Sequence, residues 1–234
     1  MQVVIISGGL GTRLKSLASD IPKALVPVAG RPFVEHQLEL LRTQGLKEIV
    51  ICTGHLGDQI ENHLQDGAAF GVSIRYSRED AGALLGTGGA LVNALPLLAE
   101  EFLVTYGDSY LPTPFGAFMD RCHKSGLPAM MSVYRNAGKW DQSNVRVDGN
   151  RVGFYSKKAV SGSCDFIDYG LSYFRKEVIR RYAQIALPLD LAVVHEALVS
   201  ANELGAYRVE ERFYEVGKPE GVAELNGYLS RRVS

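Results

Sequence analysis

The residues best suited to chemistry come early in the chain. A short β-branched run, Val3–Ile6, leads straight into Ser7-Gly8-Gly9-Leu10-Gly11-Thr12-Arg13-Leu14. After a spacer comes Pro22-Lys23-Ala24-Leu25-Val26-Pro27-Val28. Three glycines directly after a strand let the backbone approach a ligand and turn successive N–H groups towards phosphate oxygens. Arg13 adds a planar fork of donors, and Lys23 a compact point charge. Such a set can hold a triphosphate. It is not a P-loop, because G-x-x-x-x-G-K-[ST] is absent, and it fails the dinucleotide fingerprint, whose third glycine would fall at Leu14. A glycine loop by itself is equally compatible with a tight turn beside a solvated arginine.

Two further segments carry candidate ligands. Gly86-Thr87-Gly88-Gly89 precedes a predicted helix. Its glycines would leave space for a flat ring and expose backbone groups that read a base edge; a plain helix start with Thr87 as N-cap is the other reading. Asp108 follows Gly107 at the end of an apolar strand. A carboxylate there is either a turn former or a ligand for a hard cation, and Mg²⁺ takes one or two carboxylates with phosphate oxygens and water. The five histidines form neither a triad nor a metal spacing.

These loops need a scaffold, and the order of elements supplies one. Strand signals at Val3–Ile6, Glu48–Thr53, Ser73–Ser77, Phe102–Tyr106 and Ala129–Arg135 alternate with helical ones. The helical stretches are Pro32–Gln44, Leu56–Leu64, Gly88–Ala99 and Pro114–Lys124. Repeated β-α order predicts a Rossmann-like, mainly parallel α/β sheet flanked by helices. After about Asn136 the pattern changes. Val145–Val147 and Val152–Tyr155 flank Asp148-Gly149-Asn150 as a hairpin, and Phe166–Phe174 is a further strand. Helices are expected over 176–182, 189–203 and 219–232, with short strands at 207–209 and 213–216. No linker or repeat interrupts the 234 residues, so a single domain is expected, its nucleotide-binding half at about 1–135 and its substrate-binding half at about 136–234. Ligands of open α/β sheets sit beyond the carboxyl ends of the strands. That singles out the loops after Ile6, Thr53 and Tyr106.

Bulk properties exclude several classes. A formal net charge of −1 gives no global attraction to nucleic acid or anionic membrane. Ala81–Ala99 carries no charge, but its glycines, Asn93 and Pro96 make it a glycine-rich loop running into a buried helix rather than a membrane span. Cys52, Cys122 and Cys164 are odd in number and widely spaced, which points to free thiols in a reduced, cytoplasmic protein. No secretion signal is evident.

Taken together, G-G-x-G-T-R-L, a spacer and P-K-x-L-x-P-V resemble the signature of the sugar-phosphate nucleotidyltransferase family. Gly30-Arg31-Pro32, Gly86-Thr87-Gly88-Gly89-Ala90, Gly107-Asp108 and Val216-Gly217-Lys218-Pro219-Glu220 extend the likeness over nearly the whole chain. The Leu85–Leu91 segment is most similar to bacterial heptose-1-phosphate guanylyltransferases and N-acetylmuramate-1-phosphate uridylyltransferases. The resemblance implies triphosphate binding by Gly8, Gly9, Leu10, Gly11, Thr12, Arg13 and Lys23, and base binding by Gly86, Thr87 and Gly88. It implies a Mg²⁺ held by Asp108. The second metal carboxylate of the family sits in D-x-G-T-P, which here reads Glu215-Val216-Gly217-Lys218-Pro219, so Glu215 is its expected counterpart. On the sugar side the family's E-K pair reads Ser156-Lys157 and its N-x-G segment Asp168-Tyr169-Gly170. Lys157 is expected to hold the sugar's phosphate, and Asp168, Gly170 and Asp190 to face the sugar; an exposed helix N-terminal acid is an equal reading of Asp190.

The activity so implied is attack of a sugar 1-phosphate on the α-phosphorus of a nucleoside triphosphate, with Arg13, Lys23 and Asp108 as the charged machinery. A phosphate monoester is mostly dianionic at neutral pH, its second pKa being about 6, so no protein base is needed. The expected pair is GTP with a manno-configured heptose 1-phosphate, for a surface polysaccharide. Uridylyl transfer to an amino-sugar 1-phosphate and guanylyl transfer to mannose 1-phosphate are the alternatives. A non-catalytic relative would have lost its charged positions, whereas Arg13, Lys23, Asp108 and Lys157 are all kept. Homo-oligomerisation is left open.

Overall fold

The computed structural model describes residues 1–9, 21–80, 85–136 and 138–231. Strand β1 (Gln2–Ser7) is followed by a short ribbon of β2 (Pro27–Val28) and β3 (Arg31–Pro32), then α1 (Phe33–Thr43). Next come β4 (Glu48–Thr53), α2 (Gly57–Leu64), β5 (Ser73–Arg78), α3 (Gly86–Asn93), β6 (Glu101–Tyr106) and β7 (Ser109–Tyr110). Helix α4 (Phe115–Ser125), β8 (Ala129–Arg135), β9 (Val145–Asp148), β10 (Arg151–Tyr155) and β11 (Phe166–Arg175) follow. The chain continues with α5 (Lys176–Arg180), α6 (Leu191–Ser200), β12 (Leu204–Val209), β13 (Tyr214–Glu215) and α7 (Pro219–Ser230).

One nine-stranded sheet, ordered β5-β4-β1-β6-β11-β8-β12-β10-β9, carries both halves of the chain. β5, β4, β1 and β6 are mutually parallel, β11 runs against β6 and β8, and β12 is parallel to β8. The expected mixed α/β sheet is present: antiparallel β11 joins the parallel block β5-β4-β1-β6 to the parallel pair β8-β12, and the antiparallel hairpin β9–β10 closes the far edge. β1 shows why the run Val3–Ile6 reads as continuously apolar. Val4 and Ile6 face a core shared with α3, α5 and α6, while Val3 and Ile5 face one shared with α1, α2 and α4. Burying each such side chain stabilises the fold by about 1.5–3 kcal/mol.

Several boundaries differ from the sequence reading. The helix expected over 88–99 starts at Gly86 and stops at Asn93, and Leu95–Leu97 forms a 3₁₀ turn around Pro96. The helix expected from Leu189 starts at Leu191, where the Asp190 carboxylate accepts from Ala192 N. α7 ends at Ser230. The three cysteines are free and buried. Among the described residues no helix is long and apolar enough to cross a membrane.

Candidate functional site

The carboxyl ends of β1, β4, β5 and β6 lie level, because Ser7 pairs with Thr53, Thr53 with Arg78, and Ile6 with Tyr106. Glycines follow three of them for a steric reason. A Cβ on Gly107 would lie 2.5 Å from Ser7 Oγ, and one on Gly54 would lie 2.8 Å from the Gly8 carbonyl oxygen. These contacts draw the strand ends into a shallow floor. Leu10, Gly11, Thr12 and Arg13, expected to bind triphosphate, lie outside the described residues. Gly8 and Gly9 begin that loop at the floor's centre.

The Gly107–Asp108 turn is pinned from beneath. Buried Gln37 of α1 donates from Nε2 to the carbonyl oxygens of Tyr106 (2.8 Å) and Ser109 (2.7 Å). Asp108 then meets two partners distant in sequence. Lys23 Nζ lies 2.8 Å from Asp108 Oδ2, with both side chains about a quarter to a third exposed (26% and 29%). β13 pairs with β7, placing Glu215 opposite Ser109, while Val216 N donates to the Asp108 carbonyl oxygen at 2.8 Å. A small apolar cluster of Val28, Phe33, Tyr110, Tyr214, Val216 and Leu225 supports this platform from α7 and the β2–β3 ribbon.

Lys23, Asp108 and Glu215 line a cavity of about 440 Å³ together with Trp140, Asp141, Arg212 and Lys218. Glu215 retains contact with solvent there yet is crowded by protein. Crowding first, and the negative charges of Asp108 and Asp141 next, push its pKa up to about 7. Two carboxylates lining one cavity are the donor type that Mg²⁺ takes when it completes its shell with phosphate oxygens and water. Among the described residues no group of three or more His, Cys, Asp or Glu side chains is arranged to hold a metal by itself. Lys218 is exposed at the cavity wall.

The cavity and the strand ends beside it also involve residues without a sequence signal. Fully buried Asn136 knits the loop before β9, donating to Asp141 O and Ser143 Oγ and accepting from Trp140 N. The loop presents Trp140, whose ring lies 3.5 Å from the Arg212 guanidinium carbon, and Asp141. Glu79 is a second unforeseen acid. It is half-buried just after β5, its Oε2 accepts from Leu85 N at 3.3 Å, and a Cβ on Gly8 would lie 2.8 Å from its Oε1. Burial raises its pKa.

Gly86–Gly89, expected as a loop ahead of a helix, forms the first turn of α3. Its glycines allow close contact with the segment before α6. A Cβ on Gly86 would lie 2.5 Å from the Leu189 carbonyl oxygen, and one on Gly88 2.9 Å from Leu189 Cγ. Gly88 N and Gly89 N both donate to Leu189 O, and Leu189 N donates to Leu85 O. Thr87 does not cap α3. Its hydroxyl donates to Asp190 Oδ1 (3.2 Å) and accepts from Leu191 N (2.9 Å) at the start of α6.

The residues expected to face the sugar phosphate form one neighbourhood. Lys157 Nζ lies 2.8 and 2.7 Å from the two Asp190 oxygens. Asp190 accepts these bonds as well as those from Ala192 N and Thr87, and they hold its pKa below the usual value despite its burial. Gly170 adopts φ +93°, beside the Tyr106 ring and within 3.8 Å of Ser109 Oγ when given a Cβ. Its N–H donates to Asp168 Oδ1. Burial raises Asp168 to about 6, with the Gly170 N–H and Lys157 opposing the shift. Through Tyr106 and Ser109 this neighbourhood adjoins Asp108.

Comparison with known proteins bears on this arrangement. The nucleotidyl transferase family model matches residues 2–188. The N-acetylmuramate alpha-1-phosphate uridylyltransferase of Neisseria meningitidis serogroup B is 42% identical over 135 residues, 57% of either chain. The D-glycero-alpha-D-manno-heptose 1-phosphate guanylyltransferase of Campylobacter jejuni is 40% identical over 110 residues, 47% of this chain and 48% of that one. The chain thus spans about half the length of these curated relatives in the matched stretches. The crystal structure of HddC from Yersinia pseudotuberculosis superposes with a TM-score of 0.80 at 25% identity, covering 97% of this chain and 99% of that one.

Proposed function

The chain belongs to the nucleotidyl transferase family, and on that footing we propose that it condenses a sugar 1-phosphate with a nucleoside triphosphate, releasing pyrophosphate. The observation that carries this reading is the meeting of Lys23, Asp108 and Glu215 in one cavity at the carboxyl ends of the parallel strands. Asp108 and Glu215 fit a Mg²⁺ ion, which when bound would neutralise phosphate charge and stabilise the leaving pyrophosphate. Lys23 and Arg13 hold the triphosphate. Lys157 receives the phosphate of the sugar, already a dianionic nucleophile, so the protein positions two anions and neutralises their repulsion rather than moving a proton.

For the substrate pair, GTP and a manno-configured heptose 1-phosphate are the first choice. The Campylobacter relative's activity and the departures from the family pattern at Ser156 and Asp168 support it. Uridylyl transfer to an N-acetylated amino-sugar 1-phosphate is the second reading, favoured by the Neisseria relative. Pyrophosphate release should be measured with Mg²⁺ and four nucleoside triphosphates, each against heptose, mannose and N-acetylmuramate 1-phosphates. GTP with heptose is expected to give the highest kcat/KM. UTP outrunning GTP with the best sugar would remove the guanylyl assignment, and no release from any pair would remove the reaction itself.

A further inference from the structure

We propose that Thr87, although it lies in the glycine loop expected to bind the base, is a positioning residue for the sugar phosphate. This rests on the reaction proposed above. The loop and the segment before α6 are zipped together by Leu189 N to Leu85 O, by Gly88 N and Gly89 N to Leu189 O, and by Leu191 N to Thr87 Oγ1. The glycines make the approach possible, since a side chain at Gly86 or Gly88 would collide with Leu189. Thr87 is the polar side chain in this seam, and its hydroxyl has two functions. It accepts from the first N–H of α6, and it donates to the carboxylate that holds Lys157.

The chemistry follows from the donor count. A lysine ammonium has three N–H groups on a flexible stem and does not fix its own direction. Asp190 supplies that direction, with both oxygens within 2.8 Å of Nζ. Asp190 is itself fixed by Ala192 N and by Thr87. The chain Thr87–Asp190–Lys157 therefore aims an ammonium at the incoming phosphate. Both Lys157 and Asp190 are about half exposed, so solvent weakens their attraction and the hydroxyl's directional contribution matters more.

The test is a split between two substrates. Thr87→Val removes the hydroxyl at nearly constant volume. It should raise KM for the sugar 1-phosphate about tenfold, the order expected for a lost hydrogen bond to a charged group, and leave KM for the nucleoside triphosphate within about twofold. Thr87→Ser should restore the sugar-phosphate KM. A rise confined to the nucleotide KM would overturn the assignment while leaving the reaction standing. Calorimetry with mannose 1-phosphate on the wild-type protein and both variants reads the same weakening without turnover, so a protein with no activity on any substrate pair would not obscure the answer. Equal affinity in wild type and Thr87→Val would also overturn it. Should Thr87→Val fail to fold, because Leu191 N loses its acceptor, Asp190→Asn keeps an acceptor at the helix cap and removes the charge that holds Lys157. Weaker mannose 1-phosphate binding is then expected, and tighter binding would mean that Asp190 competes with the phosphate instead of aiming the lysine.

Discussion

Replacing Asp168 by Asn should stabilise the protein and impair its use of sugar phosphate at the same time. Asp168 lies in β11 opposite Val133 of β8, its carboxylate accepts from Gly170 N, and burial raises its pKa from 3.8 to about 6. A raised acid destabilises the folded state whenever it is ionised. The difference of 2.2 between the two values corresponds to at most ~3 kcal/mol at 1.36 kcal/mol per pH unit. The side chain is only partly buried by area, and solvent screening reduces this to about 1–2 kcal/mol. Asparagine has the same shape, keeps an oxygen for the Gly170 N–H and carries no charge. Its advantage should be full above pH 6, shrink as pH falls from 6 towards 3.8, and vanish below. For a chain of this size that is a rise in Tm of roughly 3–6 °C at pH 7.5. Urea unfolding of both proteins at pH 4, 5, 6 and 7.5, followed by circular dichroism, reads it directly. A less stable Asp168→Asn at pH 7.5, or a gap that does not close on acidification, would refute the reasoning. Impaired sugar-phosphate kcat/KM alongside the gain would mark the charge as retained for function at a cost in stability.

Other outcomes follow from the proposed reaction and from burial. Asp108→Asn should abolish Mg²⁺-dependent turnover with the fold intact by circular dichroism, and Glu215→Gln should be less severe; full activity in Glu215→Gln would assign the second metal ligand elsewhere. Arg13→Ala should lower kcat/KM at least about tenfold, ~1.4 kcal/mol of transition-state binding, with Tm unchanged. His195, buried between Phe174 and Tyr155, has its pKa lowered to about 3 by burial. Because the unfolded histidine binds a proton near 6.5, stability should fall as pH drops below 6.5, by about 2–3 kcal/mol at pH 4.5. His195→Phe should flatten that part of the urea-midpoint profile.

The sequence alone determined the parts that depend on local pattern. Strands buried on both faces read as unbroken apolar runs, as in Val3–Ile6, and Glu48–Thr53 has the limits found in the structure. Gly45, at φ +80°, follows the end of α1 in the left-handed conformation that glycine favours. Glycine loops after strands and a carboxylate after Gly107 located the floor of the site. Tertiary structure decided what those residues touch. Glu215 reaches the Asp108 turn only because β13 pairs with β7, and Gln37 pins that turn across 69 residues of sequence. Gly86 and Gly88 admit Leu189 at close range, and Thr87 finds its partner 103 residues away. Glycine fixes only how close something can come. What comes close is set by the antiparallel strand β11 and the hairpin beside it, which bring the second half of the chain back over the first, and no local pattern encodes that meeting.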